Sequence, residues 1–301
     1  CHTMRDIIMQ NSHYFKVAEH NVCINLIGLD DELLSLIPSF LPFILSDRPD
    51  ELLFELDVLA NLEPVTGGEL IRECVTGNGY TVVYKFDDGI YQYIIKDIKK
   101  NDCCMLITNS DFSKCKCVIY GDKSQRSFGL NNALMLIYAF AGSYHDTLLI
   151  HASCPINNGY AYPFIAQSGT GKSTHSSLWL KNIPDTELLN DDNPVVRVLD
   201  GTPYVFGSPW SGKTPCYRNK SAKLGAITRI SRADRNYVQK HAAVQAFASF
   251  LPSCSSMKWD KTIYKNICDT IVKIIGIVPV YTMHCLPDDE AAHVCYNEIS
   301  R

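Results

Sequence analysis

The sequence predicts a mixed α/β fold: a mixed α+β region in the first half, followed by a nucleotide-binding α/β domain. Three observations carry this. Short alternating apolar runs with turn residues between them fill the first half. At residues 164–181, "FIAQSGTGKSTHSSLWLK", an apolar strand runs into a glycine-rich loop and then a helix. The closing segment, residues 264–300, reads as helix, strand and helix.

A chain of 301 residues is long enough for two domains of ordinary size, and the change of pattern places the boundary so that residues 1–145 and 146–301 form one each. A hydrophobic fraction of 46% with 20% charged residues describes a soluble globular protein, expected in the cytoplasm. The net charge of −4 offers no electrostatic footprint for nucleic acid or an anionic membrane. No run of eighteen apolar residues exists, and the stretch from Ile37 to Leu45 is broken by Pro38 and Pro42. No basic-then-apolar leader opens the chain, and Met4 reads as a start preceded by a three-residue remnant. The 13 cysteines are scattered and odd in number, which suits free thiols. Cys103, Cys104, Cys115 and Cys117 lack the C-x-x-C spacing of zinc ligands and read as strand residues, so no structural metal is expected.

In chain order, "HYFKVAEHNVCINLIG" alternates as a strand does. "YTVVYKFDDGIYQYIIKDI" is two β-rich runs joined by the turn signal Asp87-Asp88-Gly89. "CMLITNS" and "CKCVIYG" form another pair, and "GLNNALMLIYAFAGSY" has the length and apolar density of a buried helix. "TLLIHAS" is a strand ending in His151, and "GYAYPFIAQ" is a strand leading into the loop. A helix follows from Gly171 through Lys181. "TELLNDDNPVVRV" is a strand, a polar break and a second strand, and Asp200-Gly201 turns into "PYVFGSPW". In the last segment "VPVYTMHC" is the strand.

The loop carries the chemistry. G-x-x-x-x-G-K-[ST] is matched from Ser168, Gly169, Thr170 and Gly171 to Lys172, Ser173 and Thr174, with Ala166 in place of the first glycine. A strand, such a loop and a helix aim backbone N–H groups and the positive helix end at one anion. Lys172 is placed to reach the β- and γ-phosphates and the Ser173 hydroxyl to hold Mg²⁺, while Gly169 and Gly171 give the backbone room to wrap the phosphates. Ala166 is tolerable at the strand exit if its φ is negative.

Asp191 and Asp192 end an apolar strand, where one carboxylate can hold Mg²⁺ and the other accept a proton from an attacking hydroxyl. They stand nineteen positions after Lys172, on the strand directly following the loop's helix. His151 ends the strand upstream and is placed to orient an aspartate or the acceptor. "FGSPWSGKTPCYRNKSAK" adds Trp210, Lys213, Arg218 and Lys220; Lys213 is its candidate for the γ-phosphate, with Arg229 a weaker one.

"LLIHAS", "AQSGTGKST" and "LLNDDN", in that order, resemble the HPr kinase and phosphoenolpyruvate carboxykinase superfamily, specifically its small HPr-kinase-like P-loop members. The resemblance covers residues 147–213 firmly and 214–301 loosely, and stops short of the first half. It implies a phosphoenolpyruvate-carboxykinase-like nucleotide-binding domain that uses ATP and Mg²⁺ and phosphorylates a serine-type hydroxyl on a protein, peptide or small molecule. Lys172 and Ser173 would take the phosphates and metal, Asp191 and Asp192 the base and a metal contact, and His151 would sit beside them. Ser173 and Asp192 stand as the metal candidates, although the sequence does not divide base from ligand within the pair. A nucleotide-sensing protein that has lost transfer, or a carboxykinase, are the alternatives. The role of residues 1–145 and the oligomeric state are left open.

Overall fold

A computed structural model describes residues 10–76 and 78–301; the reading of Met4 as a start falls outside them. The fold is mixed α/β with two large sheets, and the chain divides into two compact units, Cys1–Ala141 and Gly142–Arg301.

The first unit holds β1 (Gln10–Val17), β2 (His20–Ile27), α1 (Leu33–Leu36), β3 (Ile44–Leu45), β4 (Phe54–Leu59) and β5 (Glu69–Thr76). It continues with β6 (Gly79–Lys85), β7 (Tyr91–Asp97), β8 (Asp102–Thr108), β9 (Lys114–Ile119) and α2 (Lys123–Gly142). Its nine strands run in the order β3-β1-β2-β4-β9-β8-β7-β6-β5, and only β2, β4 and β9 pair in parallel. The β6–β7 hairpin turns through Gly89 at φ 80°, as Asp-Asp-Gly signals. The single alternating run at 13–28 is instead a hairpin. It turns at Ala18 and Glu19, both at positive φ (50° and 61°), which are not residues that advertise such a turn. Helix α2 is apolar enough to bury Leu130, Leu134, Ile137 and Tyr138, and the Tyr138 hydroxyl donates to the Val17 carbonyl at 2.9 Å.

The second unit begins with β10 (Thr147–Leu149), β11 (Ala152–Asn157), β12 (Tyr160–Ala161) and β13 (Phe164–Ile165), then α3 (Lys172–Asn182). Next come β14 (Thr186–Asp192), β15 (Val195–Leu199), β16 (Thr202–Phe206), β17 (Ser221–Leu224), β18 (Ile227–Arg232) and β19 (Tyr237–Lys240). It closes with α4 (Ala243–Phe250), α5 (Lys261–Ile275), β20 (Val280–Cys285) and α6 (Asp289–Ile299). The sheet order is β10-β15-β16-β17-β12-β11-β13-β18-β20-β19, with β14 paired to β11 off this path.

Two expected strands are divided. "GYAYPFIAQ" breaks at Tyr162-Pro163, where β12 leaves β17 and β13 joins β18; Pro163 has no N–H to give a ladder. "TLLIHAS" breaks at Ile150-His151, because β10 pairs with β15 whereas β11 pairs with β14. The parallel strip β13-β18-β20 positions the loop, since the loop leaves the β13 end and opens α3, which packs beside α6. Trp179 locks that packing: its ring lies 5.3 Å from Tyr162, 5.2 Å from Phe164 and 5.4 Å from Tyr296. Asp260 and Asp288 cap α5 and α6 through their side chains.

Candidate functional site

From the end of β13 the chain turns through Ala166–Gly171 into α3. Gly169 (φ 78°) and Gly171 (φ 117°) both hold positive φ, and no protein atom would meet a Cβ at either. The demand for glycine that the chain itself makes is therefore conformational. Ala166 is not among the positive-φ residues, so an alanine there is unstrained. Gly171 is the N-cap of α3 and supplies no side-chain cap, which leaves the first N–H groups of the helix available to an anion. Lys172 Nζ donates to the carbonyls of Ala166 (3.2 Å) and Gln167 (3.4 Å), spanning the loop from within. Burial lowers its pKa from the ordinary lysine range, opposed by the nearby charges of Asp192 and Asp191.

Strand β14 runs antiparallel to β11, with Ser153 opposite Asp191 and Ala152 opposite Asp192. His151, one residue before Ala152, therefore arrives at the acidic end of β14. Its Nε2 lies 2.8 Å from Asp192 Oδ1, and the Ser173 hydroxyl donates to Asp191 Oδ1, also at 2.8 Å. Neighbouring strand residues face opposite ways, so the two carboxylates draw different partners: Asp191 the loop's helix, Asp192 the strand crossover. Asp191 is 8% exposed, whereas the Asp192 side chain is 36% exposed and open to an incoming group. A buried hydroxyl pair, Ser153 Oγ to Ser176 Oγ at 2.6 Å, ties α3 to β11 beneath them.

Asn190 is a positioning residue that the sequence reading passed over, although it stands inside "LLNDDN". Fully buried, its Oδ1 accepts from the N–H groups of Asp192 and Asn193, both at 2.9 Å, and its Nδ2 donates to the Trp210 carbonyl at 2.9 Å. It thus fixes the turn after the acids and the 208–212 loop together. That loop comes close: Gly212 N–H donates to the Asp191 carbonyl at 3.0 Å, and a Cβ on Gly212 would stand 2.9 Å from that oxygen. Lys213 follows it, exposed at the rim.

The other cations of that segment are committed elsewhere. Arg218 donates to the Leu188 carbonyl at 2.7 Å and to Glu187 at 2.9 Å, and Lys220 also pairs with Glu187, so both tie the segment to the start of β14. Trp210 is buried. Arg229 lies exposed on β18, in register with Ile165 and Thr282, and no contact draws it to the aspartates. Arg232, at the end of the same strand, was not anticipated: its Nη2 donates to the Gly169 carbonyl at 2.8 Å, 63 positions away in the chain. Nothing local in the sequence announces that contact.

Serine and carboxylate oxygens side by side, Ser173 Oγ and Asp191 Oδ1, are the hard donors that suit Mg²⁺, an ion that keeps much of its shell for water and phosphate. Among the described residues no group of three or more His, Cys, Asp or Glu is arranged to hold a metal ion. Cys103, Cys104, Cys115 and Cys117 are buried within β8 and β9; burial pushes the thiols of Cys103 and Cys115 up, and the hydrogen bond with Cys117, with burial second, pushes that of Cys104 up. No helix among the described residues is long and apolar enough to cross a membrane.

No family model matches the sequence, and no curated protein matches it. Among solved structures, the HPr(Ser) kinase/phosphatase from Coxiella burnetii is similar at 9% identity and a TM-score of 0.30, over 50% of this chain and 94% of that one.

Proposed function

We propose that this chain is an ATP- and Mg²⁺-dependent kinase, with an HPr-kinase-like domain in residues 146–301, that transfers the γ-phosphate to a serine-type hydroxyl on a protein, peptide or small molecule. The observation that carries the reading is the division of labour in the acidic pair. Asp191 shares a hydrogen bond with the loop serine, and Asp192 pairs with His151. That division favours Asp191 and Ser173 as the metal ligands and Asp192 as the base, the reverse of taking Asp192 for the metal.

In this reading Lys172 and the N–H groups at the start of α3 orient the phosphates and offset their charge. Asp192 accepts the proton of the attacking hydroxyl while His151 Nε2 fixes the carboxylate's direction. Lys213, carried to the rim by the Gly212–Asp191 bond, faces the γ-phosphate or an acidic acceptor. Bound Mg²⁺ would neutralise charge on the β- and γ-phosphates.

The test incubates the protein with γ-labelled ATP, Mg²⁺ and either cell extract or purified hydroxyl compounds, and identifies the labelled species by mass. A phosphorylated hydroxyl product that disappears with Asp192→Asn is the expected result. Tight binding of Mg-ATP with no labelled acceptor would instead make the chain a nucleotide sensor.

A further inference from the structure

Basic side chains gather on one rim of the second unit's sheet, on the face turned away from α3. Arg229 stands exposed on β18 with Thr282 of β20 beside it in register, and His241 Nε2 lies 2.5 Å from the Thr282 hydroxyl. His284, two residues along β20, stacks on Tyr237 of β19 at 4.3 Å, and the Arg235 guanidinium lies over that same ring at 4.8 Å. Burial lowers the His241 pKa, and the charges of His284 and Arg229 add to the shift, so these groups stand close together. Arg218, Lys220 and Lys273 of the same unit each pair with a carboxylate, whereas among the described residues Arg229, Arg235, His241 and His284 are in no ion pair. A basic cluster left uncompensated in a chain of net charge −4 is placed for an anion from outside.

The strand register carries this rim to the acidic pair. Asp192 is opposite Ala152 and Ser153 opposite Phe164, which sets Ala152 beside Ile165; Ile165 pairs with Arg229, and Arg229 with Thr282. Asp191, Ser153 and Phe164 face α3, where they meet Ser173, Ser176 and Trp179, so Asp192 and Arg229 share the other face. From Asp192 to Arg229 is three strand spacings and to Thr282 four, or roughly 14 and 19 Å at about 4.8 Å each. An extended polypeptide covers that span with about four to six residues at roughly 3.3 Å each, whereas an amino-acid-sized molecule falls short of it.

We propose that this rim reads the acceptor: Arg229 and Arg235, with His241 and His284 beside them, bind an acidic stretch of a polypeptide whose serine-type hydroxyl, about four to six residues away, reaches Asp192. The inference rests on the proposed role of Asp192 as the base. At neutral pH the guanidinium groups carry the charge and the imidazoles add hydrogen bonds. Guanidinium and carboxylate meet in a directional, two-bonded geometry, so the rim fixes the acceptor's register as well as adding affinity. The acceptor narrows from any hydroxyl compound to a polypeptide with Asp or Glu at a set distance from its serine.

The experiment uses serine peptides with glutamates about four to six residues before or after the serine, each with a matched glutamine control. Binding to the whole chain by fluorescence anisotropy and transfer from γ-labelled Mg-ATP are read separately. One of the glutamate peptides should bind at least tenfold tighter than its control in about 50 mM salt, with the advantage shrinking in about 300 mM. Arg229→Gln/Arg235→Gln changes two exposed positions and should keep the far-UV CD spectrum of the folded chain. In that variant the advantage should fall below twofold, with the peptide's KM raised and kcat within about twofold. Controls that bind as tightly as the glutamate peptides, or an advantage that survives in the folded double variant, would overturn the assignment. So would a fall in Mg-ATP affinity in Arg229→Gln, which would turn that guanidinium to the phosphates. Arginine-dependent binding of an acidic peptide that receives no label would sustain the rim as an acidic-peptide site and bring down the kinase reading instead.

Discussion

Each unit gathers carboxylates and cations, but by different routes. In the first unit Glu55 on β4 meets Lys114 on β9 at 2.8 Å, and buried Asn25 on β2 donates to both Glu55 and Asp57 at 2.8 Å. These are register neighbours on one face of a sheet, where Cys23, Glu55 and Lys114 line up, as do Asn25, Asp57 and Lys116. Strand alternation alone brings them together. In the second unit Asp191 and Asp192 take their partners from a helix and from a strand crossover, next to a loop held by two positive-φ glycines. Charges that meet through ordinary ladder geometry satisfy one another, whereas charges assembled from separate elements around an open helix end are arranged for something else to bind.

The sharpest way to break that contrast is to neutralise one carboxylate in each unit. Asp192→Asn keeps the shape and removes the proposed base, so transfer of label from ATP to acceptor should fall about 10²- to 10⁴-fold, the usual worth of a positioned base, with the Kd for Mg-ATP within about threefold. Glu55→Gln keeps an oxygen for Asn25 and should leave transfer unchanged. Equal losses from both would erase the distinction.

Acid sensitivity comes next. His175 on α3 is buried, its Nε2 accepts from Trp179 Nε1 at 3.2 Å, and burial lowers its pKa from 6.5 to about 4. Between those values the unfolded chain binds the extra proton, so stability is full above about pH 6.5 and is lost as pH falls toward 4, by on the order of 3 kcal/mol. Urea unfolding of the whole chain at pH 7 and 4.5 measures it, and His175→Gln should flatten this part of the profile. An unchanged slope in that variant would move the acid sensitivity to other groups.

A smaller effect separates the two glycine positions of the motif. Gly171→Ala forces a side chain to φ 117°, a strain of about 1–3 kcal/mol, and nucleotide affinity should drop roughly tenfold by titration. Ala166→Gly, which restores the consensus letter, should gain no affinity, because Ala166 already sits outside the positive-φ region. A gain there would mean that the strand exit must flex on binding.

These contrasts mark what the sequence could reveal. The loop, the acidic pair and the closing helix–strand–helix were legible because each is a local pattern whose meaning survives any packing. The join at His151 was not, since where β10 gives way to β11 depends on two partner strands far along the chain. Arg232 was invisible for the same reason. Asn190 was in plain view, but only the folded 208–212 loop gives its amide something to hold. The Ala18-Glu19 turn was missed because the ladder on either side imposes it without help from the turn residues.

The last contrast concerns how little a satisfied surface pair is worth. The Lys114 side chain is 71% exposed and its partner Glu55 only 19%, and the lysine holds the Glu55 carboxyl below the usual carboxylate range. Screening by water and salt limits such a pair to about 0–1 kcal/mol, so Lys114→Ala should move the urea midpoint only slightly. Asn25 would still donate to Glu55, leaving no buried group stranded. Double-mutant analysis with Glu55→Gln, read in low and in 0.5 M salt, should find a coupling that shrinks as salt rises. A coupling above about 2 kcal/mol that ignores salt would place this face among the assembled sites, and the first unit would then need a ligand of its own.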